Sequence, residues 1–308
     1  MVRGSLLHFT FESAPILNYD LNRNMKSTNK IIIGKYCKAE HNPRLESNTI
    51  QLGTVDFYRK QNINSGTFDD EEGIILYKVK DSIQLTSEIS KNYFDNAIKS
   101  DGNNNFIVSK SRFDITMPFG ISNGDSGNVK LSGDTADLIK IDVTGFYYIF
   151  STTVTDDAPT LEAARKIDDS YDSFYKIINP AIFMKAIRMR LYEDGVNKKL
   201  TLVSMSDEPG LRQVNSHFRG GMVNYGEPKI EEMSQNNDSK LTFQDRLIKS
   251  IFNKNTRHGH AHQKEFRCAF WFTDSNGELL RLPSIEPYIL NIDSLKDLFV
   301  NIELPKSP

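Results

Sequence analysis

The sequence predicts an α+β protein built on a mixed, mostly antiparallel sheet. Its apolar residues gather in short segments rich in β-branched and aromatic residues, such as 31–37, 139–154 and 265–272, which are typical of strands. The clearest helix is 179–191, where apolar residues at helical spacing follow an Asn and a Pro that suit a helix start. No repeat, heptad pattern or flexible linker divides the chain, so we expect one domain over residues 1–308.

The first elements alternate strands with polar connections. The compact apolar run 31–37 predicts a strand, and Pro43 predicts a short helix that carries Leu45 toward the core. Alternation over 49–58 predicts a second strand. The acidic run 69–72 is typical of a solvated loop, although four adjacent carboxylates also suit a cation or a helix N-terminus.

The later elements follow from the same patterns. The Asn-, Ser- and Gly-rich stretch 95–137 predicts small strands joined by turns, and we expect it to be an insertion. The segment 139–154 is the most β-prone of the chain and ends in hydroxyl residues, which suit either a ligand or an ordinary strand. The remaining elements are a strand at 74–79, strands within 199–226, a helix at 242–252 and a strand with a helix at 288–304.

The composition favours a folded protein with nearly balanced charge. The 38 Lys and Arg residues against 40 Asp and Glu give a net charge of −2, which argues against binding nucleic acid by bulk charge alone, while a local basic patch stays open. No apolar run is long enough for a membrane span or a signal peptide, so we expect a cytoplasmic protein without a membrane partner. Cys37 and Cys268 lie in strand-like segments without a pairing pattern, and we expect reduced, packed thiols.

The segment 258–272 carries the densest signal for function. Side chains two apart on a strand share a face, so Gln263, Glu265 and Arg267 point the same way. Such a face is either solvated, as an Arg–Glu pair at an exposed edge, or lines a polar cleft.

Three histidines precede this strand. His258, His260 and His262 alternate like metal ligands, and with a carboxylate they would suit a divalent transition metal. Their surroundings are typical of a loop and no second cluster supports them, so we expect no metal site. The chain also lacks a Gly-rich phosphate loop and the local signature of a hydrolase.

Two motifs resemble those of ADP-ribosyltransferases. Gln263-Lys264-Glu265 matches the Gln-x-Glu form of their catalytic motif, and Phe150-Ser-Thr-Thr153 resembles their Ser-Thr-Ser/Thr strand motif. The order agrees too, because a basic residue on the first strand precedes both, and Lys35 and Arg59 are the candidates here. A looser likeness to an uncharacterised bacterial family of toxin and phage-defence loci covers most of 31–272, through Gly34-Lys-Tyr-Cys37, Gln51-Leu-Gly-Thr54 and Gln263-Lys-Glu-Phe-Arg267.

The resemblance implies the fold of an ADP-ribosyltransferase and transfer of single ADP-ribose units from NAD. Glu265 would stabilise the positive charge that develops on the ribose, and Gln263 would orient the nucleophile. The implied cofactor-binding residues are Ser151, Thr152, Arg59, Lys35 and Tyr36.

The implied role is that of a bacterial toxin or anti-phage effector, with RNA, DNA or protein as the acceptor and an antitoxin protein as a further partner. Gln263 is neutral and suits a base edge or a side-chain amide better than a cation. A nucleic-acid acceptor would need local cations, for which the nearest candidates are Lys264, Arg257, Lys254 and Arg219. Two alternatives stay open: a non-catalytic module of the same fold that binds a nucleotide or a partner, and a metal-dependent hydrolase that uses the three histidines.

Overall fold

The structure is a computed structural model. It describes residues 31–60, 73–79, 83–84, 86–94, 98–100, 106–108, 114–116, 121–123, 129–131, 138–142, 145–197, 200, 202, 214–226, 230–234, 241–255, 264–275, 277, 279–282, 284 and 286–305. The acidic run 69–72 lies outside these ranges. In the part of the chain that is described, no helix is long and apolar enough to cross a membrane.

The described elements are short strands and five α-helices. The helices are α1 (Val55–Arg59), α2 (Ser87–Phe94), α3 (Leu161–Ile167), α4 (Pro180–Val196) and α5 (Phe243–Ile251), with 3₁₀ helices at Ala39–His41 and Asp293–Leu298. The strands are β1 (Ile32–Cys37), β2 (Thr49–Thr54), β3 (Ile74–Val79), β4 (Ile83–Gln84), β5 (Ile98–Ser100), β6 (Phe106–Val108), β7 (Asp114–Thr116), β8 (Ile121–Asn123), β9 (Val129–Leu131), β10 (Leu138–Asp142), β11 (Tyr148–Thr155), β12 (Ser173–Ile177), β13 (Asn215–Met222), β14 (Asn224–Gly226), β15 (Ile230–Met233), β16 (Asn253–Asn255), β17 (Glu265–Thr273), β18 (Tyr288–Asn291) and β19 (Phe299–Ile302).

An eight-stranded sheet forms the centre of the fold. Its main path runs β13, β17, β11, β1, β12 and β19, and β2 joins it by pairing with β11 on one side and β18 on the other. A second sheet has the order β15, β3, β10 and β7. Among the described strands, the parallel pairs are β15 with β3 and β14 with β16. The fold is therefore α+β with mostly antiparallel sheets, as the strand-rich sequence predicts.

One edge of β11 is shared by two strands. β1 pairs with its C-terminal part, where Gly34 lies opposite Thr153, and β2 pairs with its N-terminal part, where Gly53 lies opposite Ile149. Residues 150–152 lie between these two pairings and have no ladder partner in β1 or β2. The two strands therefore diverge beside the middle of β11, and we call this place the split.

Apolar residues cover both faces of the central sheet. On one face α4 buries Phe183, Ile187 and Leu191 against a cluster that includes Cys268 and Phe270. On the other face, Ala269 and Trp271 join a cluster with residues of the second sheet and of α5. Because odd and even positions of β17 face different clusters, the strand is buried on both sides, and its residues 268–272 form a continuous apolar run.

Two helix starts agree with their sequence signals. The Asn179 side chain accepts hydrogen bonds from the amides of Ala181 and Ile182, and Pro180 opens α4. Thr242 and Asp245 form a reciprocal capping box that opens α5. Both predicted helices are confirmed. The thiols of Cys37 and Cys268 are free and buried, which is also as predicted.

The predicted helix after Pro43 is wrong. The chain forms only a 3₁₀ turn at Ala39–His41, and Leu45 is 52% exposed. The buried residues here are Asn42 and Pro43, and the Asn42 amide donates to Ser173 and to Asn301 at 2.7 and 2.8 Å. A polar anchor together with the proline ring therefore fixes this loop, while Leu45 stays exposed.

Two predicted strands are interrupted. The strand predicted at 49–58 ends at Thr54, whose hydroxyl accepts from the amide of Phe57 and so starts α1. The long strand predicted at 139–154 is two strands, β10 and β11, which belong to different sheets. Gly145 lies between them with a φ of +82°, a conformation that ends an extended run and that glycine adopts readily.

Candidate active site

The three strands that carry the sequence motifs are neighbours in the central sheet. β11, with the hydroxyl residues, lies between β17, which begins at Glu265, and β1, which carries Lys35 and Tyr36. Thr153 pairs with Glu265 on one side and with Gly34 on the other. Antiparallel pairing thus brings residues that are far apart in the chain into one small region, which is the split.

A cavity of about 80 Å³ lies at the split. Three tyrosines line it, Tyr36, Tyr58 and Tyr171, together with the polar residues Ser151, Lys254 and Glu265. The cavity therefore combines aromatic walls with a hydroxyl and an ion pair. This composition is typical of sites that hold a flat polar ligand.

Glu265 is the centre of a buried ionic cluster. Its carboxylate is 6% exposed; Oε1 accepts from Nε of Arg267 at 2.6 Å, and Oε2 lies 3.2 Å from Nζ of Lys254. Tyr225 donates its hydroxyl to Oε2 at 3.1 Å. Arg267 in turn donates to the carbonyl of Ile251 at the end of α5. One carboxylate therefore ties β17, β14 and β16 together.

The cluster keeps Glu265 ionised. Burial by itself would raise the pKa of this carboxyl group, but the positive charges of Arg267 and Lys254 outweigh that effect. Their charges and the hydrogen bond from Arg267 hold the pKa of Glu265 well below its ordinary value. Glu265 is therefore ionised at neutral pH, within a buried cluster to which Arg267 and Lys254 bring two positive charges.

The sequence predicted the Arg–Glu pair at an exposed edge or in a polar cleft. The pair exists, but β17 is an interior strand with β13 and β11 on its two sides, and Arg267 is fully buried. The exposed-edge interpretation is therefore wrong. The pair stands at the wall of a cavity.

Ser151 lies on the same face of the sheet as Glu265. It pairs with Arg267 across β11 and β17, and directly opposed residues share a face. Its hydroxyl lowers the pKa of Glu265, yet the geometry between them falls short of a hydrogen bond. Among the described residues the buried Ser151 hydroxyl has no hydrogen-bond partner. Buried hydroxyls normally have one, so this oxygen is available to a ligand in the cavity.

Thr152 and Lys35 have other contacts. The Thr152 hydroxyl donates to the carbonyl of Phe266 at 2.7 Å, so it is used within the sheet. The Lys35 ammonium lies 4.8 Å from the centre of the Phe150 ring. Burial lowers the pKa of Lys35, while the charges of Cys37 and Glu265 act in the opposite direction. Both residues line the cavity, but neither directs an uncommitted polar group at Glu265 in the way that Ser151 does.

Tyr36 and Arg59 occupy different positions relative to the cavity. Tyr36 lines it and packs against Phe174 with the ring centres 4.7 Å apart, and burial raises the pKa of its hydroxyl. Arg59 is the last residue of α1, next to Tyr58, and it is not one of the described residues that form the wall. Of the two basic residues suggested for the first motif, Lys35 is the one at the cavity.

Several predicted residues fall outside the described ranges. These are Gln263, Arg257 and the three histidines His258, His260 and His262. Of the suggested nucleic-acid cations, Lys264 is exposed and pairs with Asp156 at 3.2 Å, and Arg219 is half-buried on β13. Lys254 is 5% exposed and paired with Glu265, so it is not a surface cation.

Sequence reasoning missed Tyr225 and the role of Lys254. Both lie on the short parallel pair β14 and β16, and both contact Oε2 of Glu265. The strands predicted within 199–226 include Tyr225, whereas no local pattern predicts β16, and the place of both residues at Glu265 depends on pairing across the fold. The one available signal was the capped helix α5, which ends just before Lys254.

A second, larger pocket adjoins the cavity. Its volume is about 220 Å³, and it shares Tyr36, Thr153 and Ile167 with the cavity wall. The end of β11 and helix α3 form its sides, with Lys166 and Lys264 at its rim. Ligand pockets measure roughly 300–1,000 Å³, so the two spaces together reach the lower end of the range for an organic ligand.

The arrangement offers an ionised carboxylate held by two cations, a buried hydroxyl and aromatic walls. A fixed carboxylate stabilises positive charge that develops in a transition state. A dinucleotide with a flat ring at one end matches these features in kind, since an aromatic wall suits the ring and hydroxyls suit a ribose. A scan against protein-family models, a search of curated proteins and a search of solved structures each found no match for this chain.

Proposed function

We propose that the protein is an NAD-dependent mono-ADP-ribosyltransferase that acts inside the cell as a bacterial toxin or anti-phage effector. The observation that carries the proposal is the meeting of the three motif strands at one cavity, with Ser151 and an ionised Glu265 in its wall. The order of these motifs along the chain agrees with the resemblance seen in the sequence.

Each residue has a physical role in this proposal. When NAD is the substrate, breaking the bond between nicotinamide and ribose leaves positive charge on the ribose. The carboxylate of Glu265 stabilises that charge, and it is already desolvated and fixed by its partners. The Ser151 hydroxyl supplies a hydrogen bond, and Tyr36, Tyr58 and Tyr171 present aromatic surface to flat rings.

The bonds of Glu265 leave room for a substrate hydroxyl. An ionised carboxylate has about four lone-pair positions. Arg267 uses one on Oε1, and Lys254 and Tyr225 use those on Oε2. One position on Oε1 therefore remains for a further donor, for which a ribose hydroxyl competes with the nearby Ser151 hydroxyl.

Ser151→Ala is the sharpest test of the site. Removal of the Ser151 hydroxyl should change stability little, because the hydroxyl lacks a hydrogen-bond partner but contributes to the lowered pKa of Glu265. If the hydroxyl binds the substrate, the variant should lose about tenfold in transfer of label from NAD to an acceptor in cell lysate.

Ser250→Ala is the matched control. It removes a buried hydroxyl that bonds to the carbonyl of Leu247 within α5, away from the cavity wall. It should keep the activity of the wild-type protein. Equal activity of Ser151→Ala and the wild type would assign the reaction to another place, and a wild type that neither binds nor consumes NAD would reject the proposal.

A second candidate function is a non-catalytic module that binds a nucleotide or a partner. The observation in its favour is the near-complete burial of Glu265 by three internal donors. Calorimetric binding of NAD or ADP-ribose that Ser151→Ala weakens, without any transfer of label, would favour this function.

The acceptor in the proposed reaction is RNA, DNA or a protein side chain other than arginine. The neutral Gln263 supports this part of the proposal, because its amide both donates and accepts hydrogen bonds. Lys264 is exposed beside the larger pocket, where it pairs with Asp156 at 3.2 Å. Mapping of the label decides the point: modification of arginine side chains would contradict it.

A further inference from the structure

Helix α4 has two apolar sides. One side is fully buried and carries Phe183, Ile187 and Leu191. The other faces solvent, with Ile182 and Val196 each 52% exposed and Met189 47% exposed. A surface helix normally presents polar residues to water, and a helix that is apolar all round is normally covered.

The exposed apolar residues form a stripe in which successive members are two helical turns, about 10 Å, apart. Ile182, Met189 and Val196 are seven residues apart, and such positions lie one above the other on a helix. Ile178, just before the helix, extends the stripe and is 54% exposed. From Ile182 to Val196 the stripe is about 21 Å long.

The stripe is complementary to the same stripe on a second α4 helix that runs in the opposite direction. Lys185 lies four residues before Met189 and Glu193 four residues after it, and both are exposed. In an antiparallel pair of such helices centred on Met189, Lys185 meets Glu193 of the partner. Ile182 meets Val196 in the same way, and the small Ala186 faces the large Tyr192.

We infer that α4 is the interface of a homodimer in which a second copy of the chain packs its own α4 antiparallel, about a two-fold axis at Met189. Two-fold interfaces use one surface patch twice, which requires the self-complementarity of charge and size seen here. Glu193 also pairs with Arg190 at 3.1 Å within the helix, so in the dimer its carboxylate would be shared between Arg190 and the partner's Lys185.

The dimer surface is separate from the cavity. α4 packs on the face of the central sheet that carries Phe150, Cys268 and Phe270, whereas Ser151 and Glu265 point to the opposite face. Pairing through α4 therefore leaves the cavity open in both copies, and the inference does not depend on the proposed activity.

Sedimentation velocity of the full chain over a range of concentrations tests the interface. The wild type should form a dimer, and Met189→Glu should be monomeric, because it sets two like charges opposite each other across the axis. Since Met189 is half exposed in a single copy, the substitution should not destabilise the fold of that copy. The matched control is Ile230→Glu on β15, which is 49% exposed and should remain dimeric.

A charge exchange tests the predicted pairing. Lys185→Glu and Glu193→Lys should each weaken the dimer, because each places like charges opposite each other, and the double variant should recover the dimer. A wild type that stays monomeric, or a dimer that survives Met189→Glu, would overturn the inference. A monomer whose stripe instead captures another protein, and loses it in Met189→Glu, would overturn it in favour of a different partner.

Discussion

Glu265 is a buried carboxylate whose neighbours determine both its charge and its freedom to move. The spacing in the sequence indicates that Arg267 shares its face, and the two do form a pair at 2.6 Å. The second cation, Lys254, comes from a strand that no local pattern reveals. The sequence therefore predicts half of the cluster, and the other half depends on tertiary packing.

This cluster changes what should be expected of Glu265→Gln. The substitution conserves volume, but it leaves Arg267 and Lys254 buried without their counter-charge. Breaking a buried pair in this way typically costs about 3–5 kcal/mol, so urea denaturation should show a marked loss of stability. Any loss of activity in this variant must be measured at a temperature where it is still folded.

Two further variants test whether the loss of stability in Glu265→Gln comes from the unpaired cations. Glu286→Gln, at an exposed position, makes the same chemical change and should leave stability within about 0.5 kcal/mol of the wild type. Adding Lys254→Met to Glu265→Gln removes one of the stranded cations, so the double variant should lose less than the sum of the two single losses. Additive losses would show that the two side chains do not interact.

The two thiols give a prediction of low reactivity. Burial raises the pKa of Cys37 to about 12, against the opposing charge of Lys35, and burial also raises the pKa of Cys268. Since the thiolate is the reactive form, both should react slowly with a disulfide reagent at neutral pH in the folded protein. Denatured protein should release both thiols rapidly, and a fast thiol in the native protein would contradict the packing described for its strand.

At the scale of elements, local signals predict helix starts better than strand ends. The caps at Asn179 and Thr242 are visible in the sequence and are used in the structure. Strand propensity, in contrast, is high on both sides of Gly145 and of Thr54, so it does not predict that the strands are interrupted there. In both places a backbone feature, a positive φ or a hydroxyl cap, overrides the β-branched and aromatic residues around it.

Gly34 is predicted to be indispensable for the packing of β1. A Cβ atom at this position would overlap the ring of Phe174 and the carbonyl oxygen of Tyr175, and the backbone atom cannot move aside. Gly34→Ala should therefore destabilise the fold by about 1–3 kcal/mol in urea denaturation. Gly226→Ala is the control, because a Cβ there meets nothing within 4 Å, and similar losses in both variants would contradict the close approach.

At the scale of the whole molecule, composition and periodicity suffice for the fold class but not for the site. The cavity exists because β11 pairs with β17, and the bond from Thr152 to Phe266 joins residues 114 positions apart. Pairing over such distances depends on the complete core, which a linear pattern does not contain. The strands that carry the quoted motifs, β1, β11 and β17, are neighbours in the central sheet, which periodicity alone does not predict.

The pH dependence of global stability is the prediction at this scale. Glu265 has a folded-state pKa well below its ordinary value of 4.5, so the unfolded chain takes up a proton first as the pH falls. Its contribution is fully present above pH 4.5 and decreases below that pH. The difference in unfolding free energy between the wild type and Glu265→Gln should thus be constant near neutrality and shrink in acid, and a difference that stays constant in acid would contradict the ionised state.

The split between β1 and β2 has a consequence for mutagenesis. Residues 150–152 of β11 have no ladder partner in β1 or β2. Main-chain groups of this stretch can therefore form hydrogen bonds of the kind that strands usually offer only at the outer edge of a sheet. Amide and carbonyl groups in this stretch stay in place whatever side chain is attached to them. Alanine substitutions therefore leave any contact of these main-chain groups in place. Replacing a peptide bond by an ester, or a residue by proline, removes such a contact.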